Sequence, residues 1–167
     1  QNKIMKKILY LFIFVLIGFT SHAQFKIGAH VGAPSGDVSD FYSTTLGVDL
    51  YKMFGTDRNG LLKLGIVSGF VNHFGDEVKI ETFSTNIDNA QFIPVAGAAR
   101  INFLLFTVGP DIGYAFGISD GLDNGFYWKG VAGVKLLKIL EIDLYYSSVT
   151  IDDTNFDSVG IGALLRF

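Results

Sequence analysis

Residues 157–167, at the end of the chain, alternate between apolar side chains and mostly small or polar ones. Because successive side chains on a β-strand point to opposite faces, this pattern predicts a strand with one continuous apolar face. The apolar face would carry Val159, Ile161, Ala163, Leu165 and Phe167, and the other face Ser158, Gly160, Gly162, Leu164 and Arg166. Such a strand must place its apolar face either in a protein core or in lipid.

The beginning of the chain has the three parts of a secretory signal peptide. A short basic segment precedes an apolar run at 8–19, and small residues follow as far as Ala23. We therefore expect residues 1–23 to be an extension plus a cleaved signal peptide, and 24–167 to be the mature domain. The apolar run is shorter than the about 20 residues of a transmembrane helix. An uncleaved anchor is the alternative.

Charge and cysteine content exclude several classes of function. The chain has no cysteine, so disulfides, thiolate metal sites and a lipid-modified cysteine are excluded. Without Lys3, Lys6 and Lys7, the mature part has 10 basic and 16 acidic residues, a net charge of −6. Nucleic acid is not a predicted partner, because phosphate backbones are bound by basic surfaces.

Eight segments of the mature chain are rich in β-prone residues and are predicted to be strands. They are 25–34, 43–54, 61–72, 90–102, 104–117, 125–136, 138–149 and 157–167. The connections alternate between long ones, at 35–42, 73–89, 118–124 and 150–156, and short ones, at 55–60, near Phe103 and near Leu137. This alternation predicts an all-β fold, an eight-stranded antiparallel up-and-down transmembrane β-barrel with long loops at one end.

The predicted long loops are acidic. Lys79 is their only basic residue, and the acids in these loops or directly beside them are Asp37, Asp40, Asp76, Glu77, Glu81, Asp88, Asp120, Asp123, Asp152, Asp153 and Asp157. One interpretation is that these loops are simply solvated. The alternative is that divalent cations bridge them to anionic lipid headgroups or to a surface partner. No loop has the spacing of a calcium-binding motif, so we predict no metal ligands.

The polar faces of the strands favour a membrane barrel over a soluble one. Opposite Phe25, Ile27, Ala29 and Val31 lie Lys26, Gly28, His30 and Gly32. Glycine on a water-facing strand surface weakens the strand, whereas in a narrow lumen it leaves room for larger side chains. We expect a network of paired lumenal charges, because buried charges need partners. Its candidate members are Lys26, Asp49, Lys63, Arg100, Asp111, Lys129, Lys135, Glu141, Asp143 and Arg166.

Aromatic residues fall near both ends of the predicted strands, as in the interfacial girdles of membrane barrels. The band at the long-loop end would contain Phe70, Phe92, Phe116, Phe126, Trp128 and Tyr146. The band at the short-turn end would contain Phe25, Phe54, Phe103, Phe106 and Phe167.

Three segments together resemble a known family. The Gly-alternating stretch 25–32, the stretch Val108-Gly109-Pro110-Asp111-Ile112-Gly113-Tyr114 and the final 160–167 are similar to the small outer-membrane β-barrel domains, grouped as OmpA-, OmpX- and OmpW-like and often labelled porin-like. The resemblance implies a membrane protein of the Gram-negative envelope, embedded in outer-membrane lipid. It also implies insertion by the barrel assembly machinery, with the terminal Phe167 as the insertion signal.

The sequence predicts neither an enzyme nor a cofactor. A hydrolase needs a nucleophile beside a histidine base and an orienting acid, and the mature chain has only His30 and His73. No serine lies on the predicted strand of His30. His73 is placed at the start of a long loop, with Ser68 on the opposite face of its strand. The predicted role is structural or interactive, through the acidic loops. A narrow channel or small-solute binder is the second alternative, and a lipid-modifying envelope enzyme is the third.

Overall fold

The computed structural model describes residues 23–55, 61–80 and 83–167, and in these ranges the chain forms ten strands. A short 3-10 helix, Gly36–Val38, follows the first of them. The strands are β1 (Ala23–Ser35), β2 (Tyr42–Gly55), β3 (Leu62–Gly75), β4 (Glu77–Ile80), β5 (Phe83–Asn86), β6 (Ala90–Phe103), β7 (Phe106–Gly117), β8 (Gly125–Lys135), β9 (Leu140–Ile151) and β10 (Thr154–Arg166). Apart from Ala23, the predicted signal peptide lies outside the described residues.

Eight of these strands close into an antiparallel barrel. Each pairs with its neighbour along the chain, β3 pairs with β6, and β1 pairs with β10 to complete the ring. The closing register runs from Lys26 opposite Arg166 to Ser35 opposite Asp157. The small strands β4 and β5 form a separate hairpin inside the second long connection. The prediction of an eight-stranded up-and-down barrel is therefore confirmed.

The prediction of a long loop at 150–156 is wrong. β9 and β10 are joined by a tight turn at Asp152 and Asp153, and Thr154 already pairs with Ile151. Asp152 has a φ of 50°, a left-handed conformation that aspartate tolerates better than most residues do. The β-prone residues after the turn continue the ladder instead of forming a loop.

A second boundary also differs from the prediction. β3 continues to Gly75, so the second long connection begins at Asp76 and His73 lies within the strand. All three prolines lie inside barrel strands, and Pro94 and Pro110 lie where pairing with one neighbouring strand is interrupted. Pro94 has no partner in the β3–β6 ladder, and Pro110 has none in the β6–β7 ladder. Proline lacks the N–H that a ladder needs, so these interruptions are expected at both residues.

The outer surface of the barrel is apolar. In β10, Val159, Ile161 and Leu165 are about half exposed, whereas Ser158 and Leu164 are buried inside. The same alternation holds along β1, β2 and β7. An apolar surface that encircles the molecule is stable in contact with lipid and unfavourable in contact with water. In the described ranges, no helix is long and apolar enough to cross a membrane.

Two aromatic bands lie on this outer surface, with one exception. Phe116, Phe126 and Tyr146 are exposed near the long-loop end, and Phe103 and Phe106 are exposed near the short turns. Phe92, predicted for the outer band, is fully buried inside the barrel. β6 has apolar residues on both faces, so alternation alone did not distinguish the inner face from the outer one.

Candidate functional site

All ten charged residues predicted for the lumen lie on the inner face of the barrel. Seven are buried, namely Lys26, Asp49, Arg100, Asp111, Lys129, Glu141 and Asp143. Lys63, Lys135 and Arg166 are partly exposed at the short-turn end. Between the two ends, a cavity of about 10 Å³ remains beside His30 and Asp49. That volume is close to the smallest that holds one water molecule, so the middle of the lumen is filled by side chains.

The first group of paired charges is centred on Asp111. Its Oδ1 accepts a hydrogen bond from the Arg100 guanidinium at 2.6 Å, and its Oδ2 accepts one from the Tyr51 hydroxyl at 2.9 Å. The same guanidinium nitrogen also donates to the carbonyl oxygens of Ala99 and Pro110. The guanidinium lies 5.3 Å from the centre of the Tyr51 ring. Asp111 thus has both oxygens bonded in a fully buried position.

The second group is centred on Asp49. Lys129 Nζ donates to Asp49 Oδ2 at 2.6 Å, and His30 Nδ1 lies 3.0 Å from the same oxygen. The ammonium is also 4.9 Å from the centre of the Tyr145 ring, whose hydroxyl lies 3.2 Å from Ser158 Oγ. β2 and β8 are not neighbours in the barrel, so the Lys129–Asp49 pair crosses the lumen.

Pairing is less complete at the short-turn end. Lys26 Nζ donates to Glu141 Oε2 at 2.8 Å, and Arg166 Nε lies 4.0 Å from the same oxygen. Lys63 and Lys135 donate to neutral amide oxygens, those of Gln24 and Asn102. Asp143, one layer deeper, forms no ion pair within 4.0 Å among the described residues, and its Oδ1 accepts no hydrogen bond there. The predicted charges are therefore brought together in the middle of the lumen but only partly at this end.

Aromatic rings close the lumen at the long-loop end. Tyr42, His73, Phe92 and Phe156 pack mostly edge to face, with ring centres 5.3 to 6.0 Å apart. We call these four residues the aromatic plug. His73 Nδ1 is 2.9 Å from Thr45 Oγ1, and the imidazole is buried.

Sequence reasoning missed this plug, although a signal was present. Positions separated by an even number of residues share a face of a strand. His73 is ten residues after Lys63, and Phe92 is eight before Arg100. Both charged residues were predicted to face the lumen, so the same spacing assigns His73 and Phe92 to the lumen as well.

Two glycines on the inner face leave room for polar side chains. A Cβ atom on Gly47 would overlap the His30 imidazole, and one on Gly133 would overlap the Asp143 carboxylate. A glycine on one strand therefore leaves room for a larger polar side chain on the next strand. This is the physical reason why glycine alternates with charged residues on the inner face.

The histidines are held in structural contacts. His30 is bonded to Asp49, and the nearby Ser158 hydroxyl is bonded to Tyr145. His73 is bonded to Thr45 inside the aromatic plug, while Ser68 lies on the outer face. In the part of the chain that the structure describes, no three His, Asp or Glu residues are grouped to hold a metal ion. The cation-bridging hypothesis stays a prediction.

The long-loop end carries a cleft of about 570 Å³ between two connections. Its lining includes Tyr42, Asp88, Asn89, Gln91 and Asp120. Ser119 joins the two sides, because its hydroxyl donates to the Asn89 carbonyl at 2.7 Å and accepts from the Gln91 N–H at 3.1 Å. The cleft thus lies between segments that are bonded to each other, directly outside the aromatic plug.

Similar proteins were found by structure alone. No protein-family model matches the sequence, and no curated protein is significantly similar to it. The outer-membrane protein Ail of Yersinia pestis, in a phospholipid nanodisc, superposes with a TM-score of 0.58 at 12% identity, covering 87% of this chain and 100% of Ail. The crystal structure of Ail, the attachment invasion locus protein, gives 0.53 at 17% identity, covering 87% and 97%.

A de novo designed transmembrane β-barrel is similar to the same degree, with a TM-score of 0.54 at 13% identity, covering 89% of this chain and 98% of the design. These likenesses confirm the resemblance to small outer-membrane barrels at the level of fold. They do not indicate that this protein shares an activity with these barrels, because one fold supports many functions.

Proposed function

We propose that this protein is an integral outer-membrane barrel with no open pore and no catalytic activity, which holds its acidic loops at the cell surface for a binding partner. The observation that carries this proposal is the filled lumen. The aromatic plug lies at one end, and the ion pairs of Asp111 and Asp49 lie beneath it. A solute crossing the barrel would have to displace all of these contacts. The accessible recognition surface is then the loop end.

The cleft beside Ser119 is the proposed contact site for that partner. It is lined by two carboxylates, two side-chain amides and the Tyr42 ring. Its walls are tied together by the Ser119 bonds, so little ordering of the protein is required when a partner binds. The negative charge of the loops favours a partner with a basic patch, since complementary charges speed association.

The absence of a pore leads to a clear expectation for conductance. The purified barrel, inserted into planar lipid bilayers, is expected to produce no discrete single-channel steps. Phe92→Ala/Phe156→Ala removes two rings of the plug but leaves the ion pairs of Asp111 and Asp49 in the lumen, so no discrete steps are expected from this variant either. Discrete steps of constant size from the unmodified protein would show that it is a channel, the alternative reading of the sequence.

The surface-binding role is tested at the cleft. We expect the barrel in neutral-detergent micelles to bind immobilised polylysine but not heparin. Asp88→Asn/Asp120→Asn removes both cleft carboxylates and is expected to weaken polylysine binding by about tenfold.

Asp152→Asn/Asp153→Asn is the matched control, because it removes the same charge from the tight turn between β9 and β10. It should weaken polylysine binding by no more than about twofold. Equal losses in the two double variants would mean that overall charge, rather than the cleft, determines binding.

A further inference from the structure

The short-turn end of the lumen holds more positive than negative charge. Four cations and one carboxylate face each other there, together with two amide side chains. We call this group the vestibule, formed by Gln24, Lys26, Lys63, Asn102, Lys135, Glu141 and Arg166. It is drawn from six of the eight barrel strands.

Contacts and strand register connect the vestibule into one ring. Lys26 is opposite Arg166 in the β1–β10 ladder, and Lys135 is opposite Glu141 in the β8–β9 ladder. Lys63 reaches Gln24, two strands away, at 2.8 Å. These residues therefore surround a single opening rather than lying at separate points of the rim.

Glu141 cannot neutralise this ring alone. It forms a close ion pair with Lys26, and Arg166 Nε lies 4.0 Å from the same oxygen without a hydrogen bond. Lys63 and Lys135 donate to neutral oxygens, which leave their charge uncompensated. Among the described residues at this end of the lumen, even with the deeper Asp143 included, four positive charges face two negative ones. Arg100 and Lys129 add no excess, because Asp111 and Asp49 pair with them.

An excess of cations between membrane-embedded walls favours a counter-anion, because like charges repel more strongly where the walls lower the dielectric. The aromatic plug and the paired charges close the lumen above, so an anion can enter and leave only through the short-turn end. The vestibule therefore has the properties of a binding site with one entrance, and not those of a pathway through the barrel.

We propose that the vestibule binds a phosphate group. A phosphate carries about two negative charges near neutral pH and has several oxygens that accept hydrogen bonds at once. The donors at this end come from different strands, so they can approach a tetrahedral acceptor from several sides. Lys and Arg are the side chains that bind phosphate best. The phosphate can be free in solution or can belong to a lipid headgroup, and the chemistry of recognition is the same.

Direct titration tests the site. Inorganic phosphate and pyrophosphate are added to the barrel in neutral-detergent micelles, at an ionic strength fixed with sodium chloride, and binding is followed by calorimetry. We expect saturable binding of both in the presence of excess chloride. Lys63→Gln/Lys135→Gln should weaken it by about tenfold or more. Within the described part of the chain neither lysine has a carboxylate partner, so this variant retains the ion pairs of the fold, which heat-modifiable gel migration checks.

The matched control is Lys52→Gln/Lys138→Gln. Lys52 lies on the outer face beside the Phe25 and Phe54 rings, and Lys138 is exposed in the short turn after β8. This variant loses the same charge at the same end but outside the lumen, and its phosphate affinity should change by no more than about twofold. Glu141→Gln raises the excess charge and should tighten binding in the folded protein.

A further measurement identifies the source of the phosphate. Native mass spectrometry on barrels released from mixed phosphatidylcholine and phosphatidylglycerol nanodiscs counts the lipids retained. Phosphatidylglycerol kept by the unmodified barrel and the outer control, but lost from Lys63→Gln/Lys135→Gln, assigns the site to a headgroup. Phosphate binding without such retention assigns it to a free anion. The proposal is overturned if phosphate does not bind above chloride, or if both double variants weaken binding equally.

Discussion

Replacing Asp111 with asparagine is expected to lower the free energy of unfolding by about 3–5 kcal/mol. Asparagine has the shape of aspartate but not its charge, so the buried Arg100 guanidinium, 2.6 Å away, is left without a counter-charge. The Tyr51 hydroxyl loses a charged acceptor as well. Guanidinium chloride titration in lipid vesicles measures the change, with the fluorescence of the single tryptophan, Trp128, as the signal.

Two comparisons isolate the cause of this loss. Asp123→Asn makes the same chemical change in an exposed connection and should cost no more than about 0.5 kcal/mol. Arg100→Met/Asp111→Leu removes both charges and should cost less than the two single changes added together, because neither charge is left alone in the lumen. If Asp111→Asn were no worse than Asp123→Asn, the lumenal ion pair would not contribute to stability.

Replacing Ile161 with arginine is expected to cost about 2–4 kcal/mol, because the charge would be placed near the middle of the lipid-facing surface. Ile161 is 54% exposed and is opposite Leu144 in the β9–β10 ladder. In a water-soluble barrel the same substitution at an exposed position would have almost no effect. The size of the change therefore distinguishes lipid from water outside the barrel, by the same vesicle titration.

Ile118→Arg is the matched control for this prediction. Ile118 is similarly exposed but lies just beyond the end of β7, outside the apolar belt. An arginine at the membrane interface should cost about 0–1 kcal/mol. Equal costs at the two positions would contradict the placement of the belt, whereas a clear difference maps the depth of the membrane along the strands.

Much of the fold follows from short stretches of sequence. In β1 and β10, apolar and small or polar residues alternate cleanly, so each side chain was assigned to a face before any partner strand was known. The charged residues of the lumen were located for the same reason. A charged residue on the apolar face of a strand would face lipid. Each of the ten charged residues instead lies on the face opposite the apolar residues that flank it in the sequence.

The errors occur where the alternation of apolar residues is ambiguous and at the ends of strands. Phe92 lies on a strand with apolar residues on both sides, and its burial depends on the rings of His73 and Phe156 that meet it. The acids at 152–153 are typical of a solvated loop. Asp152 instead adopts a left-handed conformation in a tight turn, and β9 and β10 pair as far as that turn. His73 lies in β3 because the strand continues past the predicted end at residue 72. Phe167 donates its N–H to the Phe25 carbonyl at 2.9 Å, but its role as an insertion signal stays a prediction.

The number of barrel strands, their order and the apolar outer surface follow from the amino-acid sequence, because they depend on a two-residue period that any short segment displays. Which charges meet depends instead on how the strands are arranged around the barrel. Lys129 and Asp49 are 80 residues apart, and Lys26 and Glu141 are 115 apart. Such partners are fixed by the stagger of the strands when the barrel closes, which no local pattern encodes. That closure also leaves the cations of the vestibule without enough carboxylates, and so determines where an anion can bind.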